Sequence, residues 1–224
     1  MDDRVLGRAA FLGIVGAGMA GLVWGRQLAS AAGRLLPNEV AQILPTQGWR
    51  IFTIRGVPKI DPDLYRLRVD GLVERPLSLS LEDLRALPRA EQVSDFHCVT
   101  GWSVKNVHWA GVRFEDLLAE AGPQPGARWL RFISREVPYV DTLSFEQALL
   151  TDVMLALDMD GKPLTRPHGF PARVVMPRMY GYKSVKWVTS IEVRRDFVPG
   201  YWETHGYDSD AWIGKSNFFR QGIE

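Results

Sequence analysis

Asp95-Phe96-His97-Cys98-Val99-Thr100-Gly101-Trp102 carries the one cysteine of the 224-residue chain. Residues 92–98 read as a strand that breaks at Gly101, which places Cys98 at a strand end opening onto a cleft. Alternation puts His97 on the opposite face, so His97 is a poor partner for a metal shared with Cys98 and is expected to be structural. A lone cysteine beside valine is commonly an apolar filler. The strand-end setting and the polar neighbour Thr100 favour a thiolate instead, and a thiolate is a good ligand for a soft metal. One cysteine cannot build a zinc or iron–sulfur site by itself. If Cys98 binds metal, a cofactor must bring the other donors. No internal disulfide can form.

Outward from this stretch the chain reads as α+β. Residues 65–69 alternate at period two as a half-buried strand does, and 129–133, 172–176 and 185–193 read as further strands. Residues 153–159, then Asp160-Gly161, then 162–164 suggest a hairpin with an Asp-Gly turn. Ser80-Leu81-Glu82-Asp83 begins a short helix that Pro88 ends, and Phe114, Leu117, Leu118 and Ala121 share one face of a second. Strands dominate and regular βαβ alternation is absent, which favours mixed or antiparallel sheets. Apolar content of 46% and charged content of 24% are ordinary for a globular protein, and eight tryptophans point to a packed interior or an aromatic-lined cleft. A net charge of +1 supplies no field to gather phosphates and argues against a nucleic-acid partner.

The second informative stretch, residues 168–187, mixes Arg173, Arg178, Lys183 and Lys186 with turn glycines and aromatic rings. That combination suits a flat, anionic ligand: arginine and backbone amides for a phosphate, rings for stacking. Composition alone is equally compatible with a solvated strand pair carrying ordinary surface basics.

Four motifs in order, Cys98-Val99-Thr100-Gly101-Trp102, Trp109-x-Gly111-Val112 with Leu117-Leu118, His168-Gly169-Phe170-Pro171-x-Arg173 and Gly181-Tyr182-Lys183-Ser184-Val185-Lys186-Trp187, resemble the molybdopterin domain of the sulfite oxidase family, which includes the catalytic subunit of the bacterial periplasmic methionine-sulfoxide reductase. The resemblance covers residues 48–202. It implies a mixed α+β fold holding one nucleotide-free Mo-molybdopterin, whose dithiolene gives molybdenum two sulfurs while Cys98 gives a third. His168 and Arg173 fall where the family contacts the pterin and its phosphate, and Ser184, Val185 and Lys186 fall on its phosphate-binding turn. Ser134 stands where relatives carry a cofactor-contacting threonine. Arg50 and Thr53 lie in an early loop that also touches the cofactor. Tyr139, in Val137-Pro138-Tyr139-Val140, aligns with a tyrosine near the metal, where a phenol can hydrogen-bond a substrate oxygen.

The resemblance also bears on the substrate. Sulfite oxidases hold the sulfite dianion with arginines, and the place of the early-loop arginine is taken here by Phe52. The C-terminal dimerisation domain of the larger sulfite oxidases is not expected in a sequence that stops at Glu224. Both points favour reduction of a small S- or N-oxide, or of a protein sulfoxide, over sulfite oxidation. A non-catalytic, membrane-anchored module of the same fold is the alternative from another class. With no Cys-x-x-Cys-His haem attachment, an external electron carrier is expected, either a haem protein or a quinone-linked subunit.

Gly13–Leu22, GIVGAGMAGL, contains the Gly-x-Gly-x-x-Gly of dinucleotide sites. The second strand such a site needs runs into Pro37-Asn38, which a central strand does not accommodate. Residues 9–25 are uncharged and bracketed by Arg8 and Arg26, and Leu28-Ala29-Ser30-Ala31-Ala32 resembles a cleavage site. Residues 1–31 are therefore expected to be an export signal or membrane anchor forming a hydrophobic helix. Residues 32–47 are then a linker and residues 48–224 an extracytoplasmic oxidoreductase domain, anchored through 9–25 where the signal is kept.

Overall fold

The computed structural model describes residues 48–215. The expected signal or anchor, the linker and the last nine residues lie outside them. Ten strands form two five-stranded sheets. In the first, β1 (Leu67–Gly71), β2 (Leu77–Leu79), β5 (Trp129–Ser134), β6 (Val140–Ser144) and β10 (Val188–Arg194) run in the order β2-β1-β10-β5-β6, with only β1 and β10 parallel. In the second, β3 (Arg89–His97), β4 (Ser103–Arg113), β7 (Met154–Met159) and β8 (Lys162–Pro163) follow one another antiparallel, and β9 (Arg173–Val175) pairs with β7 beside β8, on the edge away from β4. One parallel pair among antiparallel neighbours makes the fold α+β with mixed sheets, as the strand-rich pattern requires.

The short helices follow from their caps. Ser80 and Asp83 form a reciprocal capping box at the start of α1 (Leu81–Ala86). In α2 (Phe114–Ala121) the apolar residues spaced at three and four are the buried ones, and Gly122 ends the helix in the left-handed region at φ 67°. A second capping box, Ser144 with Gln147, opens α3 (Phe145–Ala148). The turn between β7 and β8 puts Asp160 and Gly161 at φ 52° and 74°, the two positive values that an Asp-Gly hairpin turn needs. Among the described residues no helix is long and apolar enough to cross a membrane.

Two strand boundaries differ from expectation in ways that shape the site. β3 ends at His97, so Cys98 begins a tight turn in which its N–H donates to Trp102 O at 2.9 Å and Gly101 N–H donates to Cys98 O at 3.0 Å. The expected strand over 185–193 begins only at Val188, because Trp187 sits at φ 55°, a left-handed backbone that a bulky residue adopts only when its surroundings enforce it. The 11-residue β4 has no counterpart among the expected strands. Its Gly111 lies so close to β7 that a Cβ there would overlap the carbonyl of Leu155, which accounts for the glycine in Trp109-x-Gly111-Val112.

The larger core packs α2 against the first sheet through Leu67, Val69, Phe114, Leu118, Leu130, Phe132 and Ile191. A smaller cluster of Trp49, Val107, Trp109, Met154 and Leu164, flanked by Phe96 and Trp102, backs the functional cavity.

Candidate active site

A cavity of about 270 Å³ is lined by Cys98 and by the polar residues Arg50, Thr53, Ser134, Tyr139, His168, Arg173, Ser184 and Lys186. Their segments come from distant parts of the chain: the loop 49–54, the turn after β3, the β5–β6 turn, the 3-10 turn Arg166–His168, the start of β9, and residues 181–187. Every expected site residue except Val185 lines it. The Val185 side chain is fully buried in the larger core, and Val185 O accepts the Val174 N–H at 2.8 Å, so its contribution is to hold the turn against β9.

The lining carries two cations, Arg173 and Lys186, with the carboxylate of Glu136 nearby. Arg173 is 3% exposed. Its guanidinium lies 5.1 Å from the Trp109 ring centroid and 5.6 Å from that of Phe96, within cation–π range, and donates to His168 O at 3.1 Å and Ser184 O at 3.4 Å. Burial pushes its pKa down to about 10, against a smaller upward pull from Tyr139. Lys186 Nζ lies 4.2 Å from the Trp187 ring centroid and donates to Phe52 O at 2.7 Å. Burial first, then Arg173, lowers the Lys186 pKa to about 7, while Glu136 opposes. Among the described residues neither cation pairs with a carboxylate.

His168 is also buried, and its Nδ1 has no hydrogen-bond partner. Burial, then Arg173 and Lys186, depress its pKa to about 3, so the imidazole is neutral at physiological pH. A buried polar atom without a partner is costly, and so is the buried Arg173 cation with no ion-pair partner. A polar, anionic molecule in the cavity relieves both.

The turn that aims Lys186 is strained at Trp187 and is held by hydrogen bonds. Trp187, at φ 55°, donates its indole N–H to Arg166 O at 2.6 Å and accepts from Arg135 N–H at 2.8 Å. Ser134 donates its hydroxyl to Lys186 O at 2.7 Å and accepts the Glu136 N–H at 3.0 Å. Its single hydroxyl proton is thus engaged within the protein. Glu136, absent from the expected site, is 6% exposed, and its Oε1 accepts the N–H groups of Ile54 at 2.6 Å and Arg55 at 2.8 Å. With Lys186 it fastens the loop carrying Arg50, Phe52 and Thr53. Thr53 Oγ1 accepts the Gly56 N–H at 3.1 Å.

The remaining wall is aromatic. Phe52, 55% exposed at the mouth, stacks on Trp102 at 6.3 Å, and Trp49, Trp202, Tyr182 and Tyr207 also line the space. The richness in tryptophan is the only sequence signal for this wall. Cys98 Sγ lies 3.2 Å from Thr100 Oγ1, while His97 turns away to hydrogen-bond Ser103 at 2.8 Å. Tyr139 donates its hydroxyl to Tyr182 O at 2.7 Å, and burial, then Asp141 and Glu136, hold its pKa well above the usual phenol value. Among the described residues no group of three or more His, Cys, Asp or Glu side chains is arranged to hold a metal ion.

Residues 54–202 match the family model described as the oxidoreductase molybdopterin binding domain. The chain belongs to that family, the molybdopterin-dependent oxidoreductases related to sulfite oxidase. It is 37% identical to the uncharacterized oxidoreductase YuiH of Bacillus subtilis (strain 168), over 81% of this chain and 90% of that protein. It is 33% identical to the putative protein-methionine-sulfoxide reductase subunit YedZ1 of Azospira oryzae, over 80% of this chain and 70% of that protein. In fold it is similar to the crystal structure of the sulfane dehydrogenase SoxCD from Paracoccus pantotrophus, with a TM-score of 0.59 and 30% identity, covering 63% of this chain and 41% of that one. The chain therefore spans less than half the length of that structural relative. Mo-molybdopterin is the family's cofactor, and the cation pair, the unpartnered imidazole nitrogen and the thiol around one cavity fit its anionic phosphate, polar pterin and soft metal.

Proposed function

We propose that this chain reduces a small S- or N-oxide, or a protein sulfoxide, at a molybdenum ligated by Cys98. When bound, the cofactor supplies molybdenum chemistry that exchanges an oxygen atom and two electrons with substrate. In the net reaction the S–O or N–O bond breaks, the heteroatom keeps an electron pair, and the oxygen leaves as water after taking two protons. The electrons come from an external carrier, a haem protein or a quinone-linked subunit.

The chain's own residues divide the work. Arg173 and Lys186 hold the cofactor's phosphate, neutral His168 hydrogen-bonds its pterin, and Ser134, Ser184 and Val185 keep the turn 184–186 in place. Arg50 and Thr53 close over it from the early loop. Tyr139 and the aromatic wall receive the substrate and exclude water from its polar end.

Phe52 carries this choice of substrate: at the cavity mouth it presents a ring stacked on Trp102 rather than a cation. A neutral oxide packs against such a wall, whereas a sulfite dianion needs paired positive charge there. The naming of one relative as a putative sulfoxide-reductase subunit supports the same direction. Sulfite oxidation is the second reading, favoured by Arg50 on the cavity lining and by a structural relative named as a dehydrogenase. We place the domain outside the cytoplasmic membrane, exported or anchored by residues 1–31.

The experiment is a turnover screen of full-length protein produced in a molybdopterin-making host, with a reduced dye as electron donor for sulfoxides and N-oxides and an oxidised dye as acceptor for sulfite. Faster oxide reduction supports the proposal. Faster sulfite oxidation replaces it with the second reading, and inactivity of the cofactor-loaded chain toward both makes it a non-catalytic module.

A further inference from the structure

Behind the aromatic wall lies a charged cluster that the proposed chemistry does not use. Lys183, Asp141 and Glu203 have side chains that are 1%, 1% and 3% exposed. The ammonium lies 2.5 Å from Asp141 Oδ1 and 2.5 Å from Glu203 Oε1, and 2.8 Å from Thr142 O. Its three donors are thus all engaged. Each charged residue is a close chain neighbour of a cavity-wall residue: Asp141 follows Tyr139 by two, Lys183 follows Tyr182, and Glu203 follows Trp202. Glu203 Oε2 also accepts the Gly200 N–H at 2.6 Å, which ties down the segment leading to Trp202.

Two of these links close a ring. Tyr139 donates its hydroxyl to the carbonyl of Tyr182, the carbonyl of the Tyr182–Lys183 peptide. From that peptide the Lys183 side chain reaches back to Asp141, on the same strand as Thr142 and two residues from Tyr139. The ion pair and the phenol hydrogen bond therefore join the same two chain segments. A phenol has one proton. With that proton on Tyr182 O, Tyr139 turns its lone pairs, not a donor, to other partners. To donate to a substrate oxygen it must leave the backbone carbonyl.

We propose that Lys183 is a positioning residue for Tyr139: by clamping Asp141 and Glu203 it fixes the Tyr182 carbonyl as the resting acceptor of the Tyr139 hydroxyl, and so sets how readily that hydroxyl turns to substrate. This rests on the proposed function only in taking the substrate side of the cavity to be the Tyr139 side. Without the clamp, the Tyr182 carbonyl shifts and the phenol loses its defined acceptor, keeping only the hydrogen bond with the Trp202 side chain.

The test uses full-length, cofactor-loaded protein carrying tyrosine labelled with carbon-13 at Cζ, with the Tyr139 resonance assigned by its loss in Tyr139→Phe. Lys183→Met leaves two carboxylates buried without their cation, so the charge-free variant Asp141→Asn/Lys183→Met/Glu203→Gln is made beside it and carries the test if the single variant does not fold. We expect the Tyr139 resonance to move in both lysine-lacking variants and to stay near its wild-type position in Lys183→Arg. In turnover, Lys183→Met shifts kcat about tenfold with KM within about twofold, and shifts kcat of Tyr139→Phe less than about twofold, since nothing is left to position. An unchanged resonance in both lysine-lacking variants overturns the proposal, as does an equal turnover cost of losing Lys183 in the wild-type and Tyr139→Phe backgrounds. The resonance is read without substrate, so it decides the matter even if the chain reduces no oxide at all.

Discussion

Lys186 donates from Nζ to the carbonyl oxygen of Phe52, 134 residues away in sequence, at 2.7 Å. The residue proposed to hold the cofactor's phosphate thus also holds down the loop carrying Phe52, proposed to set the choice of substrate. The cation lies among Arg173, Trp187 and Glu136, so its charge state bears on both proposed roles.

That charge state gives a pH prediction. Burial lowers the Lys186 pKa from 10.5 to about 7 in the ligand-free protein. Unfolded chain is then protonated between about 7 and 10.5 while folded chain is not. Ligand-free stability from this group therefore falls as pH drops from 10.5 to 7 and is level below. An anionic ligand reverses the preference by favouring the charged lysine. Cofactor dissociation, followed by fluorescence of the released pterin, should quicken as pH rises from 6 to 9. In Lys186→Met it should be faster throughout and lose most of that dependence.

Glu136 accepts two backbone N–H groups of the early loop through one oxygen. Glu136→Ala leaves both part-buried amides without their carboxylate acceptor, a loss of about 1 kcal/mol for each hydrogen bond. Amide hydrogen exchange at Ile54 and Arg55 should speed up markedly, with Tm lowered by a few degrees. Glu136→Gln keeps an acceptor oxygen and should retain most of the protection.

Gly181 faces Phe96 so closely that a Cβ would overlap the ring. Phe96 in turn flanks the Arg173 guanidinium. Gly181→Ala should cost about 1–3 kcal/mol by overpacking, measured by denaturant unfolding of the ligand-free protein. It should also weaken cofactor retention, because the displaced ring no longer confines Arg173.

Phe52→Arg places a cation at the cavity mouth. Relative to wild type, kcat/KM for sulfite should rise about tenfold or more against that for a dialkyl sulfoxide, a shift of about 1.4 kcal/mol in transition-state binding. Steady-state assays of the two substrates on one preparation check this.

Local elements were legible in the sequence because their signals are local. The apolar spacing of Phe114, Leu117, Leu118 and Ala121 and the Ser80–Asp83 box fix two helices, and Asp160-Gly161 fixes a hairpin. β4 was hidden because Lys105, Asn106 and His108 interrupt its apolar pattern, with Asn106 at φ 55°. The thiol, imidazole and cations of the site could be named because ordered motifs carry them. Their supports could not: Glu136 reaches back more than 80 residues, and Trp109 meets Arg173 across the second sheet. Lys183 stood in a recognised motif, yet only folding shows its charge facing inward to Asp141 and Glu203.

The most direct measurement is the molybdenum and pterin content of full-length protein and of Cys98→Ser, both made in a molybdopterin-producing host. Wild type should carry about one molybdenum per chain with one pterin, and Cys98→Ser should lose most of its molybdenum, because a soft thiolate donor is replaced by a hard hydroxyl. Equal, full molybdenum in the two proteins would contradict the assignment of Cys98 as the metal's protein ligand.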